Sequence, residues 1–184
     1  MVIRTDSQIE NRITTGVAMV SLSTGFQGLT ASQAELVRHW YDCRNGQALP
    51  ERDCLDPGAI RAHLASISMV EMEPEGQVRF RLAGSGLRKI LGREMRGRLV
   101  SELDKNLSEM WSLGLSTALE HLRPVGGLIE RETDAHAWLR LPLYSARAGT
   151  LVLCHDTLVS KTQMRARDVS ESHRARPAGH TLAA

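Results

Sequence analysis

The chain contains few aromatic residues: three tryptophans, two tyrosines and two phenylalanines make up 4% of its 184 residues. Aromatic rings are the side chains that stack on flat chromophores, and so few of them disfavour a pocket of that kind. No cofactor is therefore predicted from the composition.

Long apolar runs are also missing. No stretch approaches the ~18 consecutive apolar residues that a membrane helix needs, and the first twelve residues are too polar to be the apolar centre of a signal peptide. We expect a soluble cytoplasmic protein that does not interact with a membrane.

Cysteine is scarce and widely spaced, since Cys43, Cys54 and Cys154 form no CxxC pair and no histidine stands at zinc-finger spacing from them. Neither a disulfide framework nor a metal site is indicated. We interpret all three as reduced thiols.

Excess charge of one sign is confined to one end of the chain. The formal net charge is +2, but residues 161–184 hold five cations against two carboxylates, which gives that segment +3 and leaves −1 for the rest. A nearly neutral body lacks the basic footprint of a nucleic-acid-binding domain. Nucleic acid is therefore not expected as a partner.

Helix signals begin at Thr30, which is a good N-cap, with Gln33 placed to complete a capping box. They predict an amphipathic helix over residues 31–44 that ends at Asn45-Gly46. Asp56-Pro57 predicts the start of a shorter second helix, with Ile60, Leu64 and Ile67 on one face.

Residues 67–73 and 78–83 have alternating apolar side chains around a turn, which predicts a β-hairpin. Helices follow over residues 85–91 and 101–122, and three strands over residues 125–133, 137–144 and 150–159. This order predicts an α+β fold: a five-stranded antiparallel sheet (ββ-helices-βββ) with helices on one face and an N-terminal flanking helix.

Domain boundaries follow from composition. Residues 29–160 form the predicted domain, residues 1–28 a flexible N-terminal tail, and residues 161–184 a flexible basic C-terminal tail.

Several short segments, in this order and spacing, resemble the PAS-like family that is common in alphaproteobacteria. They are LPERD at residues 49–53, FRLAGS at 80–85, LGREMRGR at 91–98 and LPL at 141–143. The likeness covers residues 35–159. It implies a PAS-like fold, a sensory or regulatory role, and dimerisation through a flanking helix. A flavin photosensor of this fold needs a cysteine between the second and third strands, and none lies between Gly84 and Pro124.

Three groups of residues are candidates for binding. A ligand pocket for a small apolar or anionic molecule is predicted between helices and sheet, although plain packing explains the same residues: Met69, Leu87, Ile90, Leu91, Leu99, Leu103, Met110 and Leu113. An anion or partner patch is predicted at Arg88, Lys89, Arg93, Arg96 and Arg98. A dimer helix is predicted at Val37, Trp40 and Tyr41, which could equally cap the sheet of their own subunit.

No catalytic residue is predicted. His155 and Asp156 are neighbours in a strand, so they point to opposite faces and cannot act on one substrate, and His121 is interpreted as an exposed helix terminus. We expect a stand-alone regulatory module that forms a homodimer and acts by binding a signalling protein, with a small ligand as a further input.

Two alternatives stay open at the level of sequence. The first is a small α+β enzyme or carrier that uses the same cavity, which requires an acid/base residue facing the pocket. The second is a nucleic-acid-binding regulator that uses the cationic patch and the basic tail, and its binding would weaken steeply with salt.

Overall fold

A computed structural model of the protein describes residues 18–21 and 29–160. Its six strands are β1 (Ala18–Ser21), β2 (Ile67–Met72), β3 (Val78–Ala83), β4 (Val125–Glu130), β5 (Asp134–Ser145) and β6 (Gly149–Ser160). They form one antiparallel sheet in the order β1-β4-β5-β6-β2-β3. The long strands β5 and β6 are its centre.

Five of these strands are the predicted ones, and the α+β class and antiparallel sheet are confirmed. The sixth strand, β1, was not predicted. It lies within the segment predicted as a flexible tail and pairs with β4. The other residues of that tail, and the whole of the predicted basic tail at residues 161–184, lie outside the described residues.

The helices are α1 (Ala31–Arg44), α2 (Leu87–Leu91) and α3 (Lys105–His121), with short 3₁₀ turns at Arg52–Cys54, Arg61–Ser66 and Val100–Glu102. α1 begins as predicted, because the Thr30 hydroxyl accepts a hydrogen bond from the Gln33 amide at 3.1 Å. The Gln33 side chain in turn accepts from the Leu29 amide at 2.8 Å. The first bond satisfies an amide that the helix leaves free at its start. The second differs from the predicted capping box, because Gln33 accepts from the amide of Leu29, which precedes the N-cap, and not from that of Thr30.

The predicted second helix is instead the 3₁₀ turn Arg61–Ser66. Ile60 and Ile67 are buried as expected, whereas Leu64 is exposed and Ile67 already belongs to β2. A turn this short cannot present three side chains on one face, because the chain enters the strand first.

Gly84 marks a close approach of two chain segments. A Cβ at this position would stand 2.3 Å from the carbonyl oxygen of Leu64 and 2.5 Å from that of Ala65. Only glycine fits, so β3 is held directly against the end of the 3₁₀ turn.

Two apolar clusters cover the two faces of the sheet. The inner core lies between the sheet and α2 and α3, and its largest side chains are Phe80, Met95, Trp111 and Trp138. The outer core lies between the sheet and α1, and includes Trp40, Leu139, Leu141, Leu143 and Leu153.

Candidate functional site

The inner face of β5 and β6 carries a buried group of charges, which we call the Arg140 cluster: Arg140, Asp156 and His136. Arg140 donates from Nη1 to Asp156 Oδ2 at 3.0 Å and from Nη2 to Asp156 Oδ1 at 3.1 Å. His136 donates from Nε2 to Asp156 Oδ1 at 2.8 Å. All three residues are at most 2% exposed. A charged pair this deep is stable only with such two-point geometry.

Strand periodicity brings these residues together. Trp138 pairs with Asp156 across the two strands, and Arg140 pairs with Cys154. Residues 136, 138 and 140 alternate with apolar outer-core residues, so they share the inner face. The cross-strand register then places the Asp156 carboxylate between His136 and Arg140.

Aromatic rings enclose the guanidinium. Its Cζ lies 3.9 Å from the ring centre of Trp111 on α3 and 5.4 Å from that of Trp138. Phe80 packs against Trp111 with ring centres 4.8 Å apart. Cation–π contact strengthens when water is excluded, so the rings partly replace the hydration that Arg140 has lost.

The electrostatics keep Asp156 ionised. Burial alone would raise the pKa of this carboxyl, but the Arg140 guanidinium and the hydrogen bond from His136 outweigh burial and lower it. The pair therefore consists of a carboxylate and a guanidinium, and not of two neutral groups.

Three donors around the cluster lack an acceptor among the residues that the structure describes: Arg140 Nε, Trp111 Nε1 and Trp138 Nε1. Each is an N–H group that can donate and cannot accept. A buried donor without a partner costs free energy. The chemistry that would satisfy these groups is an acceptor oxygen.

The predicted ligand pocket is brought together in part. Leu87, Leu91, Leu103 and Met110 lie in the inner core, and Ile90 packs against it. Met69 belongs instead to the outer-core side, because its place in β2 turns it to the other face. Leu113 is 40% exposed on α3 and Leu99 is half-buried in a loop. The predictions for Met69 and Leu113 are therefore wrong, whereas that for Leu99 stays a prediction.

The predicted cationic patch is partly neutralised. Arg93 and Arg98 both donate to Glu102, at 3.0 and 2.9 Å. The backbone bond from Leu99, followed by the bond from Arg98 and the positive charges of Arg98 and Arg93, lowers the pKa of Glu102. Arg88, Lys89 and Arg96 are exposed and form no ion pair within residues 18–21 and 29–160. The five residues are therefore not one uninterrupted positive surface.

The predicted dimer helix is largely covered by its own subunit. Val37 and Trp40 are fully buried in the outer core, and the Trp40 indole donates to the carbonyl oxygen of Pro142 at 2.8 Å. These two residues cap their own sheet and are not free for a second chain. Tyr41, which is 36% exposed, is the member of the trio that reaches the surface.

Sequence reasoning missed the Arg140 cluster. It placed His155 and Asp156 on opposite faces, which is confirmed, since His155 lies opposite Leu139 of the outer core. The alternation of residues along one strand does not show what faces Asp156 across the sheet. An arginine flanked by Leu139 and Leu141 within a predicted strand was the available signal, because a cation there needs a buried counter-ion.

His121 is exposed at the end of α3, as predicted. Within the described parts of the chain, no three histidine, cysteine or acidic side chains are arranged to hold a metal ion. No helix in those parts is long and apolar enough to cross a membrane.

These features define an α+β domain whose antiparallel sheet has helices over its inner face and a flanking helix over its outer face. The sequence model of the PAS domain family matches residues 29–125, which is more than half of the chain, and the protein belongs to that family. PAS domains are sensory and regulatory modules and are typically not enzymes.

Two solved structures are similar at low identity. One, from work with a flavin analogue on the mechanism of a Light-Oxygen-Voltage domain, is 15% identical with a TM-score of 0.40, covering 64% of this chain and 93% of that one. The other is an RNA-binding Light-Oxygen-Voltage receptor, 16% identical with a TM-score of 0.37, covering 67% of this chain and 40% of that one. No curated protein matches the chain.

Proposed function

We propose that this PAS domain is a regulatory module that converts a change in its inner core into a change in how α1 lies on the sheet. A partner, which is either another protein or a second copy of this chain, recognises the position of α1. The observation that carries the proposal is that β5 and β6 hold the Arg140 cluster on one face and the leucines that bind α1 on the other.

The mechanical argument rests on single residues of these strands. Leu139 stands between Trp138 and Arg140, and its carbonyl oxygen also accepts a bond from Arg140 Nη1 at 2.9 Å. A shift of the guanidinium therefore acts on the backbone that holds the α1 contact. Packed interfaces respond to such shifts by adopting a second arrangement, and an input acts by stabilising one of the two.

The chemistry of the input follows from the unpaired donors. A small molecule that enters the inner core must offer acceptor oxygens, as a carboxylate, a phosphate or a carbonyl does. The space between α3 and the sheet is occupied by Trp111, Trp138 and Arg140 side chains, so binding requires α3 to move.

Three free thiols support a cytosolic setting.

An enzymatic role would need a reachable acid or base. His136 and Asp156 do face the inner core, but Arg140 occupies both carboxylate oxygens of Asp156 and all three side chains are shielded from solvent. A nucleic-acid role would need the cationic patch, of which Glu102 engages two members. We therefore propose neither.

Hydrogen exchange on the full chain tests the coupling. Asp156→Asn keeps the shape of the side chain and removes its charge. The substitution should increase hydrogen exchange at the α1 amides by more than at the β6 amides, which exchange only through global unfolding. Val78→Ala is the matched control, because it loosens the inner core at the edge strand β3 and is not one of the side chains around Arg140. If α1 and β6 change by the same amount in both variants, the proposal is wrong.

Native mass spectrometry of the purified chain reports the oligomer and any bound small molecule.

A further inference from the structure

Two of the cysteines are neighbours in space. Cys43 lies in the last turn of α1, and Cys54 ends the 3₁₀ turn Arg52–Cys54. The Cys43 thiol donates to the backbone carbonyl oxygen of Cys54 at 3.1 Å, which places the Cys43 sulfur against the residue that carries the second thiol. The chain between α1 and the sheet thus brings together two sulfurs that are 11 positions apart.

The two thiols differ in how exposed they are, and this difference indicates which of them reacts first with an oxidant. Cys54 is exposed, whereas Cys43 is half-buried against the outer core. Burial, followed by the neighbouring Cys54 thiol and Asp42, raises the pKa of Cys43 to about 12. The exposed Cys54 is therefore the thiol that an oxidant meets first, since the thiolate is the reactive form and access limits the reaction.

A base stands beside the second thiol. His39 Nε2 lies 3.9 Å from the Cys43 sulfur, one helical turn earlier in α1. A neutral imidazole can accept the thiol proton and so activate a sulfur that is otherwise protonated.

We propose that Cys43 and Cys54 are a redox modification site that closes reversibly to a disulfide under a hydroperoxide. The Cys54 thiol loses its proton, and its sulfur attacks one peroxide oxygen. The O–O bond breaks, Cys54 becomes a sulfenic acid, and the departing hydroxide takes up that proton and leaves as water. The Cys43 sulfur then attacks the Cys54 sulfur, passing its proton through His39 to the departing hydroxide. Two thiols lose two electrons and two protons, and hydrogen peroxide is reduced to two waters.

The disulfide would fasten the end of α1. The segment before Cys54 is held to the end of β5, because the Tyr144 amide donates to the carbonyl oxygen of Pro50 at 3.0 Å and Glu51 pairs with Tyr144. A covalent link from Cys43 to this segment restricts the unfolded chain and keeps α1 on the sheet. The modification rests on the two thiols and His39, and it does not depend on the function proposed above.

The test is hydrogen peroxide titration of the reduced full chain, followed by peptide mapping and by counting of free thiols after denaturation. We expect a Cys43–Cys54 cross-linked peptide, loss of two of the three thiols, and full recovery with dithiothreitol. The remaining thiol should be Cys154, which is completely buried. Formation of the link should raise Tm by about 6–11 °C.

Single variants separate the two parts. In Cys43→Ser the oxidised Cys54 should persist as a sulfenic acid that dimedone traps, and Tm should not rise. In Cys54→Ser the oxidant should leave Cys43 intact at the same dose. The inference is overturned if wild-type Cys54 accumulates as sulfenic or sulfinic acid beside a free Cys43, if the cross-links join two chains, or if Cys154 is oxidised first.

Discussion

The two faces of the central strands hold very different side chains. The outer face of β5 and β6 offers leucines to α1, whereas the inner face offers tryptophan, arginine and aspartate to α3. The contrast arises within one run of residues, since Leu139 and Leu141 flank Arg140. One face of a strand can therefore pack against a helix through apolar side chains while the other carries charged ones, because neighbouring side chains point in opposite directions.

The two faces also differ in what they contribute to stability. Burial of a leucine contributes about 1.5–3 kcal/mol, whereas a buried ion pair loses about as much in hydration as it gains in attraction. The Arg140 cluster is thus a poor means of holding the sheet together. Its presence in the middle of an otherwise apolar layer indicates a requirement other than stability.

The largest expected effect is at Asp156. Asp156→Ala leaves the Arg140 guanidinium buried without a counter-ion and should lower the free energy of unfolding by about 3–5 kcal/mol, measured by urea denaturation. The matched control is Arg140→Met combined with Asp156→Leu, which removes both charges and should lose clearly less than the single variant. A loss below about 1 kcal/mol for Asp156→Ala would mean that water reaches Arg140.

His155 is a buried polar residue on the outer face, and it should make stability depend on pH. Burial is the main reason that its pKa falls to about 4 from an ordinary value of 6.5. In the unfolded chain His155 takes up a proton as the pH falls through 6.5, while the folded chain takes it up only near pH 4. Stability from this group is therefore complete above pH 6.5 and is lost between pH 6.5 and 4.

Between pH 7.5 and 5.0 the loss should be about 2 kcal/mol in urea denaturation. His155→Phe should flatten the dependence over that window, and His121→Gln, at an exposed position, should not. The neighbouring His63 packs its ring against His155 with centres 6.2 Å apart and bonds to Glu35 at 2.9 Å. If His63→Gln flattens the pH dependence of stability and His155→Phe does not, that dependence arises from His63 in the 3₁₀ turn and not from His155 in β6.

The fold was predictable from sequence because its signals are local. Thr30 and Gln33 mark the start of α1, and Asn45 ends it in the left-handed conformation. Alternation over the five strands gave their order correctly. The short strand β1 could not be predicted, because its pairing with β4 depends on a partner more than a hundred residues away.

The site was harder to predict than the fold. Each member of the Arg140 cluster has an ordinary appearance in the sequence, and only the β5–β6 register brings the three together. The same is true of Met69, whose face is set by its pairing with Leu153. For Val37 and Trp40, a helix pattern identifies the apolar side but does not say whether the covering surface belongs to the same chain.

The smallest effect, and one whose sign is informative, is expected at Gly114 of α3. In an exposed helix the change to alanine stabilises by about 1 kcal/mol. Here the added Cβ would lie 2.9 Å from Cζ3 of Trp138 and 3.4 Å from Cγ of Arg140, so α3 must move away from the inner face. Overpacking of this kind costs about 1–3 kcal/mol, and Gly114→Ala should lower the urea midpoint despite the better helix former. Ser112→Ala, at an exposed position of the same helix, is the control and should leave it unchanged or slightly raised. A higher midpoint for Gly114→Ala would show that α3 packs loosely over the tryptophans, and the contrast between the two faces would then lie in composition and not in packing.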